Sequence, residues 1–496
     1  MRPIKNPSQP VSFYDSVTTS FGPAGPGTTG FGSTGWRRRI LAPIALLLSL
    51  AVLVSCSGEG PTSPDPVDPP RAARINVVSG DGQRALAGSS LREPVVVQVL
   101  DEEAQPLPGA LVLFSSNHGV TEPTTVGTGP GGMAATHWTL GSTTGPQTLT
   151  VTASSATTTV SGHAISVEDS LDVLFAPAKE DELSAIRADW ASRDFSASGG
   201  TVELEEAYNM GGHSTSLRVV SHQVEGMRHF GAIVVPDGAG TGELPIIVYA
   251  HGGDGGVTVE TTLFILTVAL GEMTDDFVYV IPSFRDEPLR YDDRSWLSDG
   301  PASPWDRDVD DALSLVNLTM ETIPEARTDR YIAAGASRGG GVAMLMGIRD
   351  ERIAGVITFF GPTDFQNEWA RDIASLLVRG VTVDLPGVEH LRATYLVPWW
   401  TGDVTLQDAR LALIRRSPVL FAEDLPPLQV HHGDMDGVVS VTQAESMIRA
   451  MREIGRGPPE FEAYIYPGAT HEITSMPSAI PRAVAFLQNL LGRNGE

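Results

Sequence analysis

The feature that most constrains the fold is the pattern of residues 200–496, where continuous apolar runs alternate with segments of helical length. Three of these runs read LPIIVYA, RYIAAGA and IAGVITFF. Strands that are apolar at every position are typical of parallel sheets whose two faces are both covered by helices. We therefore predict an α/β domain with a mostly parallel sheet, helices on both faces and a helical cap insertion at about residues 365–425.

Residues 72–165 show a different pattern. Short runs such as PVVVQVLD and QTLTVTAS alternate apolar and polar residues and are separated by Gly, Pro and Asn. This pattern predicts six or seven strands that form an all-β sandwich. The order of the runs resembles the bacterial Ig-like domains of the invasin and intimin type, which implies a spacer or an adhesive module that contacts a cell-surface polymer. Residues 166–199 are predicted to be a linker with a helix.

Residues 1–56 carry the marks of a targeting segment. Three arginines at 37–39 precede an apolar run at 40–54, and the sequence LVSC ends at Cys56. A basic segment, a short apolar segment and small residues at the junction describe a secretory signal, here with an unusually long N-terminal extension. LVSC resembles the lipobox of bacterial lipoproteins, which implies that Cys56 is acylated and becomes the new N-terminus. An uncleaved anchor and an ordinary signal with an incidental cysteine stay open as alternatives.

The residues after Cys56 extend this expectation. Ser57 stands where an aspartate would favour the inner membrane, so the outer membrane is the expected site of the anchor. Residues 57–71 are rich in Pro, Gly and Ser, which is typical of an extended linker. We therefore expect a protein that is secreted to the cell envelope and bound to a membrane through its lipid.

The charge of the chain restricts its partners. The formal net charge is −26, which would repel the backbone of a nucleic acid, so we expect no nucleic-acid partner. A single cysteine is present, so no disulfide can form within the chain.

One short sequence points to chemistry. Residues 335–339 read GASRG and match the G-x-S-x-G pattern of a nucleophile elbow, in which a serine occupies a sharp turn from a strand to a helix. The apolar run RYIAAGA precedes Ser337 and the helical pattern RGGGVAMLMGIRD follows it. A serine hydroxyl becomes a strong nucleophile only when a base takes its proton. The prediction therefore requires a histidine and an acid later in the chain.

Few residues after Ser337 can fill those positions. His471 lies in YPGATH, after the last predicted strand, whereas the other downstream histidines are His390, His431 and His432. The candidate acids are Asp434 and Asp436, after the strand LQVHH, and Asp364, after the strand that follows the elbow. Upstream, HGGDGG ends another strand, and its backbone N–H groups, with Gly253 as the candidate, join that of Arg338 as predicted donors to an oxyanion.

Two other chemistries are disfavoured. His431, His432, Asp434 and Asp436 cluster in sequence, but adjacent strand residues point to opposite faces of a sheet, which argues against a metal site. HGGDGG is not followed by the Gly-Lys-Ser/Thr of a phosphate loop. We therefore expect neither a metal ion nor a cofactor.

Four sequences together carry a family resemblance: HGG at 251–253, GASRG, HGDMDGVV and YPGATH. In this order they resemble the α/β-hydrolases of the prolyl oligopeptidase and dienelactone hydrolase branch, over residues 200–496. The resemblance implies a Ser337–Asp436–His471 triad, because the acid of that branch lies four residues after the histidine of an HG-x-x-D-x-x-V run. Arg338 departs from the branch, which usually has Tyr or Phe beside its serine, and no β-propeller is present to gate access.

The resulting hypothesis is a surface-tethered serine hydrolase that cleaves ester or peptide bonds through an acyl-enzyme, with an esterase preferred over a serine-type peptidase. Trp399 and Trp400 of the predicted cap are candidates for stacking on a substrate or for plain cap core. The rival hypothesis is a cell-surface adhesion lipoprotein whose hydrolase fold is inactive.

Overall fold

The computed structural model describes residues 71–196 and 198–492. The predicted signal segment, the lipidation site at Cys56 and nearly all of the proline-rich linker lie outside the described residues. Within the described ranges, no helix is both long enough and apolar enough to cross a membrane.

The first part of the described chain, 74–165, consists of strands. They are β1 (Arg74–Ser79), β2 (Gln83–Leu86), β3 (Val95–Leu100), β4 (Leu111–Ser116), β5 (Val120–Glu122), β6 (Thr125–Gly127), β7 (Met133–Thr139), β8 (Gly145–Ala153) and β9 (Ala156–Ile165). β5 and β6 have three residues each, too few for an alternating pattern, and this explains why the expectation of six or seven strands was too low.

These strands form two sheets, with the orders β1-β3-β7-β5 and β2-β9-β8-β4-β6. Alternate residues of a strand are buried because successive side chains point to opposite faces of a sheet. Val97 and Trp138 from the first sheet share one apolar core with Phe114 and Leu149 from the second. The two sheets therefore pack face to face.

Two helices follow, α1 (Val167–Leu174) and α2 (Glu180–Ala191). The Ser166 hydroxyl accepts the N–H of Asp169 and caps α1. Arg410, 5% exposed, donates to the Glu182 carboxylate and to backbone carbonyls of this segment. The segment expected to be a linker with one helix thus contains two. Arg410, in the helix Leu406–Ile414, attaches this segment to the later part of the chain.

The remaining strands are β10 (Thr201–Met210), β11 (His213–Val224), β12 (Met227–Pro236), β13 (Leu244–Ala250), β14 (Val257–Thr258), β15 (Val278–Pro282), β16 (Pro288–Tyr291), β17 (Arg294–Leu297), β18 (Ala326–Ala336), β19 (Ile353–Phe359), β20 (Leu428–Gly433) and β21 (Phe461–Tyr466). Nine of them form one sheet with the order β10-β11-β12-β15-β13-β18-β19-β20-β21. The first three pairings are antiparallel and the other five are parallel. β14, β16 and β17 form a small separate sheet.

Helices cover both faces of the nine-stranded sheet. Along β13, Ile246 and Val248 face one apolar core, which includes residues of α4, α5 and α10, while Ile247 and Tyr249 face a second core with α3 and α11. A strand buried on both faces needs apolar residues at every position. The expectation of a mostly parallel, doubly covered sheet is therefore confirmed.

The helices of this region are α3 (Val259–Leu270), α4 (Arg307–Thr322), α5 (Arg338–Arg349), α6 (Glu368–Val378), α7 (Val388–Leu391), α8 (Val397–Thr401), α9 (Leu406–Ile414), α10 (Thr442–Glu453) and α11 (Ala479–Leu490). A π-helical turn lies at Arg392–Leu396, and 3-10 turns lie at Gly271–Asp276, Pro418–Asp424 and Ile473–Ser475. α6 to α9 all lie between β19 and β20, and we call this insertion the cap.

Candidate active site

Ser337 lies at the turn between β18 and α5. Its backbone has φ 54° and ψ −126°, a region that costs a residue with a side chain on the order of 1–3 kcal/mol. A Cβ on Gly335 would lie 2.2 Å from the Gly339 carbonyl oxygen, and one on Gly339 would lie 1.9 Å from that of Ala250. Both glycines of the motif are therefore required by close backbone approach. The strained turn holds the half-buried Ser337 beyond the carboxyl end of its strand.

Asp436 and His471 meet beyond the ends of the next strands. Asp436 follows β20, His471 follows β21, and the imidazole Nδ1 lies 2.8 Å from the carboxylate Oδ2. The second carboxylate oxygen, Oδ1, accepts the N–H groups of Val438 and Val439, both at 2.9 Å. The Asp436 side chain is fully buried and that of His471 is 19% exposed. The carboxylate thus fixes the orientation of a ring that solvent and substrate can reach.

The electrostatics of this pair favour an ionised acid. Burial alone would raise the pKa of Asp436, but the hydrogen bond and charge of His471, together with the two valine amides, hold that pKa below its usual value. A carboxylate in this position stabilises an imidazolium and selects the tautomer with the proton on Nδ1. The other ring nitrogen, Nε2, makes no hydrogen bond to any described residue, so it is available as a base.

The elbow is tied to the histidine through β19. The Ser337 N–H donates to the carbonyl of Phe359, the last residue of β19, at 2.9 Å. The ring of the following residue, Phe360, packs on the His471 ring with 4.2 Å between centroids. Val438 lines the same cavity as Ser337. Among the described residues the Ser337 hydroxyl has no hydrogen-bond partner, and catalytic hydrogen bonds often tighten only when substrate binds.

The loop His251-Gly252-Gly253 lies directly against the elbow. A Cβ on Gly252 would be 3.1 Å from the Ser337 Cβ. The Gly253 N–H finds no backbone acceptor in the described chain. The Arg338 N–H opens α5, where helical N–H groups lack intrahelical partners and the helix end is electropositive. The predicted oxyanion donors therefore both carry unused N–H groups beside Ser337.

The Arg338 side chain, whose role the sequence left undefined, is 1% exposed and points into a charged cluster. Its Nε and Nη2 each donate to one oxygen of Asp308 at 2.8 Å. Its Nη1 donates to Glu287 and, at 3.1 Å, to the Gly253 carbonyl. Burial alone would lower the pKa of the guanidinium, but the two carboxylates raise it above its ordinary value. Arg338 is thus a permanent cation that fastens the Gly253 loop to the elbow.

His251 completes the cluster. Its Nδ1 donates to the Gly252 carbonyl at 3.0 Å, and its ring stacks on Phe284 at 4.4 Å between centroids. Burial, followed by the nearby Arg338 charge, lowers the pKa of His251 to about 4. The ring is therefore neutral at physiological pH and acts as a wall of the loop.

Sequence reasoning missed the carboxylates that hold Arg338. A signal for Asp308 was present, because it lies on the buried side of α4 in a pattern shared with Ala312 and Leu315. A fully buried acid on an apolar helix face requires a cation. No comparable pattern marks Glu287, which lies in a loop.

The other candidate residues have their own hydrogen-bond partners, although His432 Nε2 also lies 3.5 Å from Asp436 Oδ2. Asp434 Oδ1 accepts the N–H of Gly468, 34 positions away in the loop after β21, whereas Asp364 Oδ1 accepts the N–H of nearby Gln366. His432 Nε2 donates to the Val439 carbonyl at 2.9 Å, while His431 is stacked between Phe359 and Tyr464. Among the described residues, no group of three or more His, Cys, Asp or Glu side chains is arranged to hold a metal ion.

The chain matches no protein-family model and no curated protein. It is similar in structure to acetyl xylan esterase 1 from Thermoanaerobacterium sp. JW/SL YS485, with 15% identity over 66% of this chain and 99% of that one, and a TM-score of 0.46. The acetyl xylan esterase from Paenibacillus sp. R4 has 17% identity over 65% of this chain and 99% of that one, with a TM-score of 0.41. The Pyrococcus horikoshii acylaminoacyl peptidase has 12% identity over 70% of this chain and 54% of that one, with a TM-score of 0.36.

At these identities and TM-scores the similarities carry no argument of their own, so the assignment rests on geometry. The described residues from 201 onward combine a doubly covered sheet, a strained serine at a strand-to-helix turn, and an acid and a histidine that follow in that chain order. This is an α/β-hydrolase-like fold.

Proposed function

We propose that this chain is a serine hydrolase that cleaves carboxylic esters through an acyl-enzyme. The observation that carries the proposal is the 2.8 Å pairing of His471 with buried Asp436, in a chain that also holds Ser337 at φ 54°. An inactive remnant of the fold would have no need to keep a strained serine, because the strain lowers stability without a structural return.

Each residue has a defined task in the proposed reaction. His471 Nε2 takes the Ser337 hydroxyl proton as the oxygen attacks the ester carbonyl. Asp436 holds the ring and stabilises its positive charge. The N–H groups of Gly253 and Arg338 donate hydrogen bonds to the developing oxyanion. His471 then protonates the leaving alcohol, and a water molecule, deprotonated by the same nitrogen, releases the acid and restores Ser337.

An ester is favoured over a peptide by the surroundings of Ser337. The cavity beside it is lined almost wholly by apolar side chains. A peptide bound there would bury N–H and C=O groups without partners, at a cost of about 1–3 kcal/mol for each. An ester has no N–H donor to satisfy. Peptidase activity is the second candidate, and fast turnover of chromogenic proline peptides with negligible ester turnover would replace our choice.

The test of the proposal is the Ser337→Ala variant, assayed with p-nitrophenyl acetate. We expect its kcat/KM to fall by at least about 10³-fold, with the melting temperature retained. Ser295→Ala, on an exposed position of β17, is the matched control and should leave the rate unchanged. Wild-type protein should also react with a fluorophosphonate probe. An unlabelled wild type, or an unchanged rate in Ser337→Ala, would instead favour an adhesion protein with an inert hydrolase fold.

We also propose the location suggested by the sequence. The protein would be anchored at the cell envelope through acylated Cys56, with residues 72–165 as a bacterial Ig-like module that spaces the hydrolase from the membrane. Metabolic labelling with an alkyne fatty acid should mark the wild type and leave Cys56→Ser unmarked. Equal labelling of both proteins would rule out this anchor.

A further inference from the structure

A cavity extends from Ser337 into the cap. The space in it that the centre of a water-sized sphere can occupy is about 60 Å³, several times what one water molecule requires and enough for a short apolar chain. Its walls come from the elbow, the loop after Asp436, the cap and the segment after α1. The lining includes Phe175, Trp305, Ser337, Arg338, Phe365 and Ile373.

The lining of this cavity is almost entirely apolar. Of its nineteen residues, only Ser337 and Arg338 have side chains that are not apolar. The Arg338 guanidinium is already occupied by Asp308, Glu287 and the Gly253 carbonyl. On the described cavity wall, both the Ser337 hydroxyl and the Trp305 indole N–H lack a hydrogen-bond partner, and they are surrounded by apolar side chains.

The walls are also fixed. Trp305 and Phe365 are at most 8% exposed and meet edge to face with 4.8 Å between ring centroids. Ala374 and Leu377 of α6 belong to the main apolar core. Side chains locked in this way give a pocket of defined depth, which favours ligands by length and shape. Trp399 and Trp400 pack against the core as partly buried residues and do not line the cavity.

We propose that this cavity is the acyl pocket of the enzyme and that it selects esters of short unbranched apolar acids, butanoyl to hexanoyl, over acetyl esters. The inference rests on the proposed function, because it assumes that Ser337 attacks the ester carbonyl. The carbonyl carbon sits at Ser337 and the acyl chain lies along α6. Each methylene that is buried in the transition state should raise kcat/KM about three- to fourfold.

Two ester series test the assignment with the wild-type protein. In the first, the acyl group of p-nitrophenyl esters grows from acetyl to dodecanoyl. In the second, acetate is fixed and the alcohol grows from methyl to octyl. We expect kcat/KM to rise at least tenfold from acetyl to hexanoyl in the first series and to stay nearly flat in the second. A preference for acetyl esters, or a rise only with the alcohol, would overturn the inference.

A filled pocket provides the second test. Ile373→Trp adds volume at a lining position of α6, and Leu376→Trp adds the same volume on the same helix at a side chain that is 42% exposed and lies outside the lining. We expect Ile373→Trp to lower kcat/KM for the hexanoyl ester at least tenfold and to keep that for the acetyl ester within threefold. Leu376→Trp should match the wild type with both esters.

Ala370→Phe narrows the same wall and replaces Ile373→Trp if that protein does not fold. Equal losses with both esters in the folded variant would show that the cavity does not hold the acyl chain. The proposed function fails separately: in that case Ser337→Ala would still hydrolyse the acetyl ester at the wild-type rate, whatever the chain-length profile.

Discussion

Two buried carboxylates belong to the candidate active site, and each pairs with a nitrogen-bearing side chain. In one pair Asp436 holds His471, whose ring is partly exposed and whose Nε2 is free. In the other pair Asp308 holds Arg338, which is 1% exposed and fully paired. Histidine can exchange its proton near neutral pH, whereas arginine stays charged.

The two pairs therefore differ in role: the histidine pair is suited to proton transfer, and the arginine pair stabilises the structure. The histidine pair has one nitrogen to spare and a route to solvent, as a proton carrier requires. The arginine pair has its bonds committed, and one of them reaches the loop that carries the proposed oxyanion donor Gly253. Changes to the first pair should therefore alter the rate at nearly constant stability, and changes to the second should alter stability first.

The largest expected effect is on the rate. Asp436→Asn keeps an oxygen for the amides of Val438 and Val439 but places an amide against His471, which then adopts the wrong tautomer. We expect kcat for an ester to fall about 10³- to 10⁴-fold, with a melting temperature close to that of the wild type. Asp434→Asn, in the same loop, is the control and should change kcat less than threefold. A small loss in Asp436→Asn, matched by a large one in Asp364→Asn, would transfer the role to Asp364.

The next effect is on stability. Arg338→Met leaves two buried carboxylates, Asp308 and Glu287, without their cation, and we expect the free energy of unfolding to fall by about 3–5 kcal/mol. Urea unfolding measures it. A loss below about 1 kcal/mol would contradict the structural role assigned to this cluster.

A pH dependence comes from the same cluster. The pKa of His251 is about 4 in the folded protein and about 6.5 in the unfolded chain. Between these values the unfolded chain binds the extra proton, so the free energy of unfolding decreases as the pH falls from about 6.5 to about 4. The full contribution of this residue is on the order of 3 kcal/mol.

Urea unfolding of the wild type and of His251→Asn at several pH values isolates that contribution. The variant should lose stability less steeply between pH 6.5 and 4, because the other buried histidines act equally in both proteins. His137→Asn, on the exposed side of β7, should keep the wild-type slope. An identical slope in His251→Asn would mean that folding does not lower the pKa of His251.

The smallest effect is expected at the surface. Arg379 of the segment after α6 pairs with Glu168 of α1, and both side chains are about half exposed. Arg379→Met should lower the free energy of unfolding by no more than about 1 kcal/mol. Compared with Arg338→Met, it measures how much burial adds to the removal of one arginine. Equal losses of unfolding free energy in Arg379→Met and Arg338→Met would contradict the claim that the buried arginine pair is the more stabilising one.

The sequence was sufficient where the structure depends on local pattern. The apolar runs predicted the doubly covered sheet, and GASRG predicted the strained turn at Ser337, because both follow from neighbouring residues. The pairing of Asp436 with His471 spans 35 positions, and it was predicted only through a family resemblance. The roles of these residues still await the experiments above.

Other features could not be predicted, for reasons of distance along the chain. The apolar pattern of α4 marks Asp308 as an acid that needs a cation, but nothing near GASRG identifies Arg338, 30 positions away, as that cation. The acyl cavity joins Phe175 with residues near 370 and 438, which only the folded chain brings together.

Arg410 has a consequence for modularity. Its buried guanidinium is satisfied by Glu182 and by the carbonyls of Val173, Leu174, Ala176 and Pro177. A recombination that replaced the whole chain up to residue 200 would leave the Arg410 guanidinium buried without its partners and would remove Phe175 from the cavity wall. A crossover on the N-terminal side of Ser166 would spare both. The β-rich region can therefore be exchanged between relatives far more readily than the short helical segment that follows it.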